Sequence, residues 1–232
     1  INGNTMGTTY SIKIIAKLPQ TIDINNVKSK IDSALQVVNQ QMSTYIPDSE
    51  ISRFNRLTGK DWFTISTDFY DVNVTAQEIS RLTKGAFDIT VGPIMDLWGF
   101  GGDLTQNTWK PPTDQEIEKI KKSIGYNNIV IGINSIKKIN SNTKIDLNAI
   151  AKGYGVDVVF QLLRDLGYID ISVEIGGEVR CNGFNKDSES WKIGIDKPIF
   201  DVIPGAELQT VISLDNKALA TSGDYRNYFK YN

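Results

Sequence analysis

Asp146, Lys152, Gly153 and Gly155 fall within one stretch, Lys144–Asp157, whose residue types and spacing suit a bound phosphate. Apolar residues at Ile150, Tyr154, Val158, Leu162 and Leu166 recur at helical spacing. The spacing therefore predicts a helix that begins near Asn148 or Ala149, led in by a short strand at Lys144–Ile145. Lys152 then sits in the first turn, where the helix dipole favours anions, and Gly153 and Gly155 each cost about 1 kcal/mol of helix propensity relative to alanine. An anion on the free N–H groups of that turn, beside Lys152 and unobstructed by a Cβ at Gly153, offsets both penalties. The same residues also suit a plain strand-to-helix connection whose glycines allow close packing.

Composition narrows the chemistry further. The chain has no histidine and one cysteine, Cys181. Internal disulfides, thiolate metal clusters and histidine general bases are therefore excluded within these residues, and any metal is held by oxygen, which means a hard cation such as Mg²⁺ or Ca²⁺. The net charge is −2 with basic residues dispersed, so nucleic acid is not an expected partner. With 232 residues, 40% apolar and 22% charged, the composition is that of an ordinary globular protein, expected to form a single domain over residues 1–232.

Other elements must position the Lys144–Asp157 stretch. Tyr10, Ile12, Ile14, Ala16 and Leu18 alternate with polar residues as in a half-buried strand, led in by Thr5–Thr9. Val27, Ile31, Leu35, Val38 and Met42 follow helical spacing, Pro47 ends that helix beside Tyr45, and Asp48 or Ser49 suits the cap of a short one. A third helix is predicted over Thr67–Lys84, stopped by Gly85. Gly85–Gly102 reads as a short strand, a Gly-Pro break and an aromatic loop in which Phe87, Trp98 and Phe100 either line a pocket for a flat ring or seal the core. Thr113–Glu116 has the form of a capping box for a helix carrying Ile117, Ile120 and Ile124. Strand patterns occupy 128–133, 135–140, 171–175, 178–181, 191–196, 210–214 and 218–231. Helices and strands mix without regular alternation, which predicts an α+β fold.

Four separated segments carry a resemblance: Thr5-Met-Gly-Thr-Thr9, Met42-Ser-Thr-Tyr-x-Pro-Asp-Ser-Glu50, Gly85-Ala-Phe-Asp-Ile-Thr-Val-Gly-Pro93 and Asp146-Leu-Asn-Ala-Ile-Ala-Lys-Gly-Tyr-Gly155. In these, and in Ile175-Gly-Gly-Glu178, Trp191–Ile195 and Thr221-Ser-Gly-Asp224, the chain resembles the ApbE-type FAD:protein FMN transferases over nearly its whole length. The resemblance implies a T-fold-like α+β flavin-binding architecture, with mixed sheets packed with helices. It implies a Mg²⁺-dependent enzyme that splits FAD, transfers FMN through its phosphate to a threonine hydroxyl of a target protein, and releases AMP. A close variant within the family is an FAD pyrophosphatase, and a reading of a different class is a non-catalytic FAD-binding or storage protein.

Carried over by motif, Met6, Tyr45, Ala86, Phe87, Asp88, Asp146 and Lys152 contact FAD, and Ala149 ligates Mg²⁺ through its backbone carbonyl. The family's histidine and two further metal ligands correspond to positions past Asn232, so the catalytic residue is expected there. The chain is thus expected to be C-terminally incomplete and, by itself, poor at transfer. The family also implies a periplasmic location, tethering to the inner membrane by an N-terminal lipid anchor upstream of this chain, and an acceptor that is a subunit of a membrane redox complex.

Overall fold

The computed structural model describes residues 1–16, 22–100, 110–200, 203 and 205–223. In chain order the elements are β1 (Asn2–Thr5), β2 (Thr8–Ile15), α1 (Ile24–Met42), α2 (Glu50–Arg56), β3 (Phe63–Thr64), α3 (Thr67–Leu82), a 3-10 turn (Ile89–Val91), α4 (Gly92–Leu97), α5 (Asp114–Lys121), a second 3-10 turn (Tyr126–Asn128), β4 (Ile129–Gly132), β5 (Ser135–Lys138), α6 (Ala151–Asp165), β6 (Asp170–Ile175), β7 (Glu178–Asn182), β8 (Trp191–Asp196), β9 (Leu208–Leu214) and β10 (Ala218–Leu219). The fold is α+β. It divides into two compact units, one built from Ile1–Gln36 and the chain from Lys152 onward, the other from Val37–Ala151. Among the described residues no helix is long and apolar enough to cross a membrane.

The first unit holds a five-stranded antiparallel sheet in the order β1-β2-β6-β7-β10. Tyr10 and Ile12 of β2 and Ile171, Val173 and Ile175 of β6 face one core, which Val27, Ile31 and Leu35 of α1 and Val156, Val159, Phe160 and Leu163 of α6 complete. The helical and strand periodicities of the sequence thus converge on the same apolar cluster. A second cluster joins Val179 and Cys181 to Trp191 and Leu214 of the β8–β9 ribbon.

Two hairpins of this sheet turn through two residues each. Met6–Gly7 joins β1 to β2 with φ of 50° and 69°, and Gly176–Gly177 joins β6 to β7 with φ of 56° and 99°. Positive φ at both central positions is what a type I′ turn demands. Glycine adopts it freely, whereas Met6 does so at a cost of roughly 1–2 kcal/mol.

In the second unit, β3-β5-β4 form an antiparallel sheet. Ser49 caps α2 by accepting from the N–H of Ser52. The Glu50 carboxylate accepts from the N–H and hydroxyl of Ser66, the cap of α3, at 2.6 and 2.7 Å. Thr113 and Glu116 form the reciprocal capping box that their spacing predicts. Lys138 of β5 is 1% exposed, and its Nζ donates to the carbonyls of Asn55 (2.9 Å) and Leu57 (3.0 Å) at the C-terminal end of α2. A cation there complements the helix dipole. Burial first, and the nearby charge of Lys144 second, lower its pKa to about 8.

Because the folded value lies below the ordinary 10.5, the unfolded chain binds more protons between the two, and stability rises with pH across that window. In thermal unfolding scans, the midpoint of the wild type is expected to gain on that of Lys138→Met as pH rises from about 8 to 10.5. A constant difference would mean that Lys138 is not held in this way.

Three expectations need correction. The strand expected after Gly85 is instead a 3-10 turn followed by α4. Asp88 starts the turn by accepting from the N–H of Thr90, and Pro93 near the first position of α4 favours helix. Lys144–Ile145 joins no sheet, because the side chain of Asn55 takes the place of a neighbouring strand. It donates to Ile145 O and accepts from Ile145 N–H, both at 2.8 Å. The following helix begins at Ala151, two to three residues later than its spacing suggests, since Asn148–Ile150 form a turn. Of the 218–231 strand pattern, Ala218–Leu219 form β10 and 220–223 are not strand; Leu18, Gly101, Gly102 and residues 224–231 lie outside the described residues.

Candidate functional site

In the first unit, the sequence motifs meet at the end of the sheet where its two type I′ turns lie. The N–H of Gly176 donates to Thr9 O at 3.0 Å, and a Cβ placed on Gly176 would lie 2.7 Å from Thr8 Cγ2 and 3.3 Å from Lys152 Cδ. Lys152, in the first turn of α6, extends along this hairpin. Its Nζ is 2.9 Å from Glu178 Oε2 and 3.5 Å from Gly176 O. Glu174 fixes the turn by accepting from the N–H of Gly177 at 2.8 Å, and a Cβ on Gly177 would lie 3.1 Å from Thr221 Oγ1.

The two glycines of α6 serve different ends. A Cβ on Gly155 would come within 2.9 Å of Met6 Cε and touch Ile175 and Leu35, so Gly155 exists for packing and seats the Met6 side chain. A Cβ on Gly153 would meet nothing within 4 Å. Open space therefore faces Gly153 in the first turn of α6, where the Ala151 N–H is already taken by Leu147 O at 2.7 Å and the next N–H groups have no carbonyl of their own helix to bond. The packing reading holds at Gly155, and the space at Gly153 is compatible with the anion reading.

In the second unit, Asp146 follows the Asn55-bound Ile145, and its N–H donates to Ile89 O at 2.7 Å, which places it beside the Ala86–Asp88 segment. Its Oδ1 accepts from the N–H of Asn148 at 2.7 Å and so begins the turn that leaves Ala149 exposed. Burial, reinforced by the negative charge of Asp96, raises the Asp146 pKa above the ordinary carboxylate value despite the hydrogen bonds from Asn148. Asp96 is itself paired with Lys144 at 2.8 Å. Such a carboxylate favours a hydrogen-bond donor or a cation.

A raised folded pKa means stability that is greatest below the ordinary carboxylate range and is lost as pH rises through the raised value. At neutral pH, Asp146→Asn is expected to melt higher than the wild type, by a margin that closes as the pH is lowered. Melting curves at several pH values check this; a variant that melts lower at neutral pH would contradict it.

The remaining residues are placed as follows. Ala86 is exposed and Phe87 half-buried, its N–H donating to Thr83 Oγ1 at 3.1 Å. The Asp88 carboxylate is engaged inside the fold, accepting from the N–H and hydroxyl of Thr90 and the N–H of Tyr126 at 2.6 to 2.8 Å, so its role here is to shape the segment. Tyr45 is 64% exposed, and its hydroxyl donates to Phe100 O at 3.2 Å, tying it to the aromatic segment. Trp98 and Phe100 are half-buried. Asn55, Asp96 and Glu178 were not singled out by residue type. For Glu178 a signal existed in its position directly after a Gly-Gly hairpin turn; the side-chain pairing of Asn55 with a backbone 90 residues away left none.

Comparison with known proteins adds the family. A model of the ApbE family matches residues 6–232. The FAD:protein FMN transferase of Vibrio cholerae serotype O1 is 43% identical over 99% of this chain, and that of Haemophilus influenzae 38% identical over 100%. The chain spans 67% of the length of each. Among solved structures, the flavin transferase ApbE from Vibrio cholerae superposes with a TM-score of 0.88 at 42% identity, covering 100% of this chain and 73% of that one. The ApbE protein from Thermotoga maritima gives 0.86 at 30% identity, covering 100% and 72%.

Proposed function

Because the chain belongs to the ApbE family of flavin-transferring enzymes, we propose that it moves the FMN half of FAD onto a threonine hydroxyl of an acceptor protein and releases AMP. The threonine oxygen bonds to the phosphorus that carries riboflavin, the bond from that phosphorus to the bridging oxygen breaks, AMP leaves with the bridging oxygen, and the hydroxyl proton passes to a base. The observation that carries this reading is the open first turn of α6 with Lys152 beside it, which suits the diphosphate. Lys152 and the turn N–H groups supply fixed positive charge where the transferring phosphoryl oxygens and the AMP leaving group gain negative charge. Tyr45 and the Phe87 segment offer flat surfaces for the flavin or adenine ring.

Mg²⁺ fits the donor types in part. Among the described residues no group of three or more acidic, histidine or cysteine side chains could hold a metal alone. The Ala149 carbonyl, with the desolvated Asp146 nearby, suits a cation that takes its other ligands from phosphate and water, as Mg²⁺ does. When bound, the ion would neutralise diphosphate charge. Asp146 orients either a water of that ion or an adenosine hydroxyl. The acceptor is a subunit of a membrane redox complex outside the cytoplasm.

The test incubates the protein, carried on through the segment expected to hold the family's histidine and remaining metal ligands, with FAD, Mg²⁺ and a threonine-bearing acceptor. Covalent flavin fluorescence of the acceptor in a denaturing gel is the expected result. Free FMN and AMP without labelled acceptor would mark an FAD pyrophosphatase, and bound, intact FAD a storage protein; either overturns the transferase reading.

A further inference from the structure

Lys152 is not held as a free cation. Its Nζ lies 2.9 Å from Glu178 Oε2, and that oxygen is buried and accepts no hydrogen bond, so the lysine charge is its compensation. The Glu178 side chain is 16% exposed and that of Lys152 33%, which leaves the pair poorly screened by water. The pairing is built in by backbone. A Cβ at Gly176 would collide with Thr8 and press against the Lys152 stem, and Glu174 locks the turn through Gly177. β7 therefore starts at Glu178 with its carboxylate aimed at the first turn of α6.

We propose that Glu178 is a positioning residue that neutralises Lys152 until a diphosphate ligand arrives, so that the site by itself lacks the net positive charge to hold a diphosphate without an added cation. This rests on the reading of the α6 turn as the diphosphate site. The lysine has three donors and can keep one toward Glu178 while offering another to phosphate, but its charge is then shared between two anions. A like-charged carboxylate beside the incoming diphosphate weakens binding, and the penalty is largest when no metal ion screens it. Glu178 thereby makes tight binding conditional on the cation.

The test compares FAD affinity, by flavin-fluorescence titration, for the wild type and Glu178→Gln, in chelator and in Mg²⁺. The Gln variant is expected to bind FAD roughly tenfold more tightly than wild type in chelator, about 1.4 kcal/mol, with the difference shrinking in Mg²⁺. Glu178→Asp keeps the charge and is expected to retain the wild-type ratio of affinities with and without Mg²⁺. Loss of structure alone would weaken binding equally under both conditions and leave that ratio unchanged; an unchanged ratio in Glu178→Gln overturns the proposal. If Glu178→Gln folds poorly, Glu178→Met, which brings no buried polar atom, is read in the same way. A wild type that fails to bind FAD under either condition would instead sink the reading of the site itself.

Discussion

Lys152→Ala is expected to lower FAD turnover by roughly 100- to 1000-fold, the usual effect of removing one fixed donor from a site of developing negative charge. The side chain rises from the first turn of α6 beside the unobstructed Gly153. The substitution also strands the buried Glu178 oxygen. Breaking a fully buried pair costs about 3–5 kcal/mol, and the partial exposure of Lys152 brings the expected loss below that range. Melting temperature must therefore be measured beside turnover, at a temperature where the variant is folded. Lys152→Arg keeps the charge and is expected to fall between the two. Equal FAD affinity and equal turnover in folded Lys152→Ala would refute the phosphate assignment.

The second large effect is on stability. Asn55→Leu removes the side chain that, among the described residues, bonds both the N–H and the C=O of Ile145, a residue with 0% exposure. Each buried backbone group left without a partner costs about 1–3 kcal/mol, so a loss of roughly 2–5 kcal/mol is expected, or about 5–15 °C in melting temperature for a chain of this size. Asn55→Asp discriminates further. It can still accept from Ile145 N–H but presents an oxygen to Ile145 O, so it should remain destabilised. Amide exchange gives the local readout: the Ile145 N–H is expected to lose protection in Asn55→Leu and to keep most of it in Asn55→Asp. Retained protection in both would show that the side chain is not what holds this strand-like segment.

These two residues also mark what the sequence made legible. Lys152 was readable because it violated a local rule: a cation and two glycines in the first turn of a helix require an explanation. α1, α3 and α5 were readable from period and caps, and β6 from alternation up to a Gly-Gly turn. Asn55 was opaque because its partner is a backbone with no side-chain signature. For the same reason Lys144–Ile145, which is extended but pairs with a side chain, was indistinguishable from a strand. The segment after Gly85 misled because Ile89, Thr90 and Val91 are β-branched, and the Asp88 cap and Pro93 outweighed their strand propensity. That Lys152 is already paired could not be read from β7, since the ion pair depends on where the hairpin places Glu178.

The division of the chain has a consequence during synthesis. β2 reaches its partner β6 across the pairing of Tyr10 with Ile175, so the central ladder of the first unit joins strands between which the whole of Val37–Ala151 is made. At about 5–20 residues per second, β2 waits on the order of ten seconds or more for β6 to emerge. β1 covers one of its edges in the meantime, and the other stays open while the whole of Val37–Ala151 is produced. The nascent chain therefore passes through a period in which every strand of the inserted unit has been made while β2 still lacks β6, so one edge of β2 stays unpaired until the chain beyond Lys152 follows.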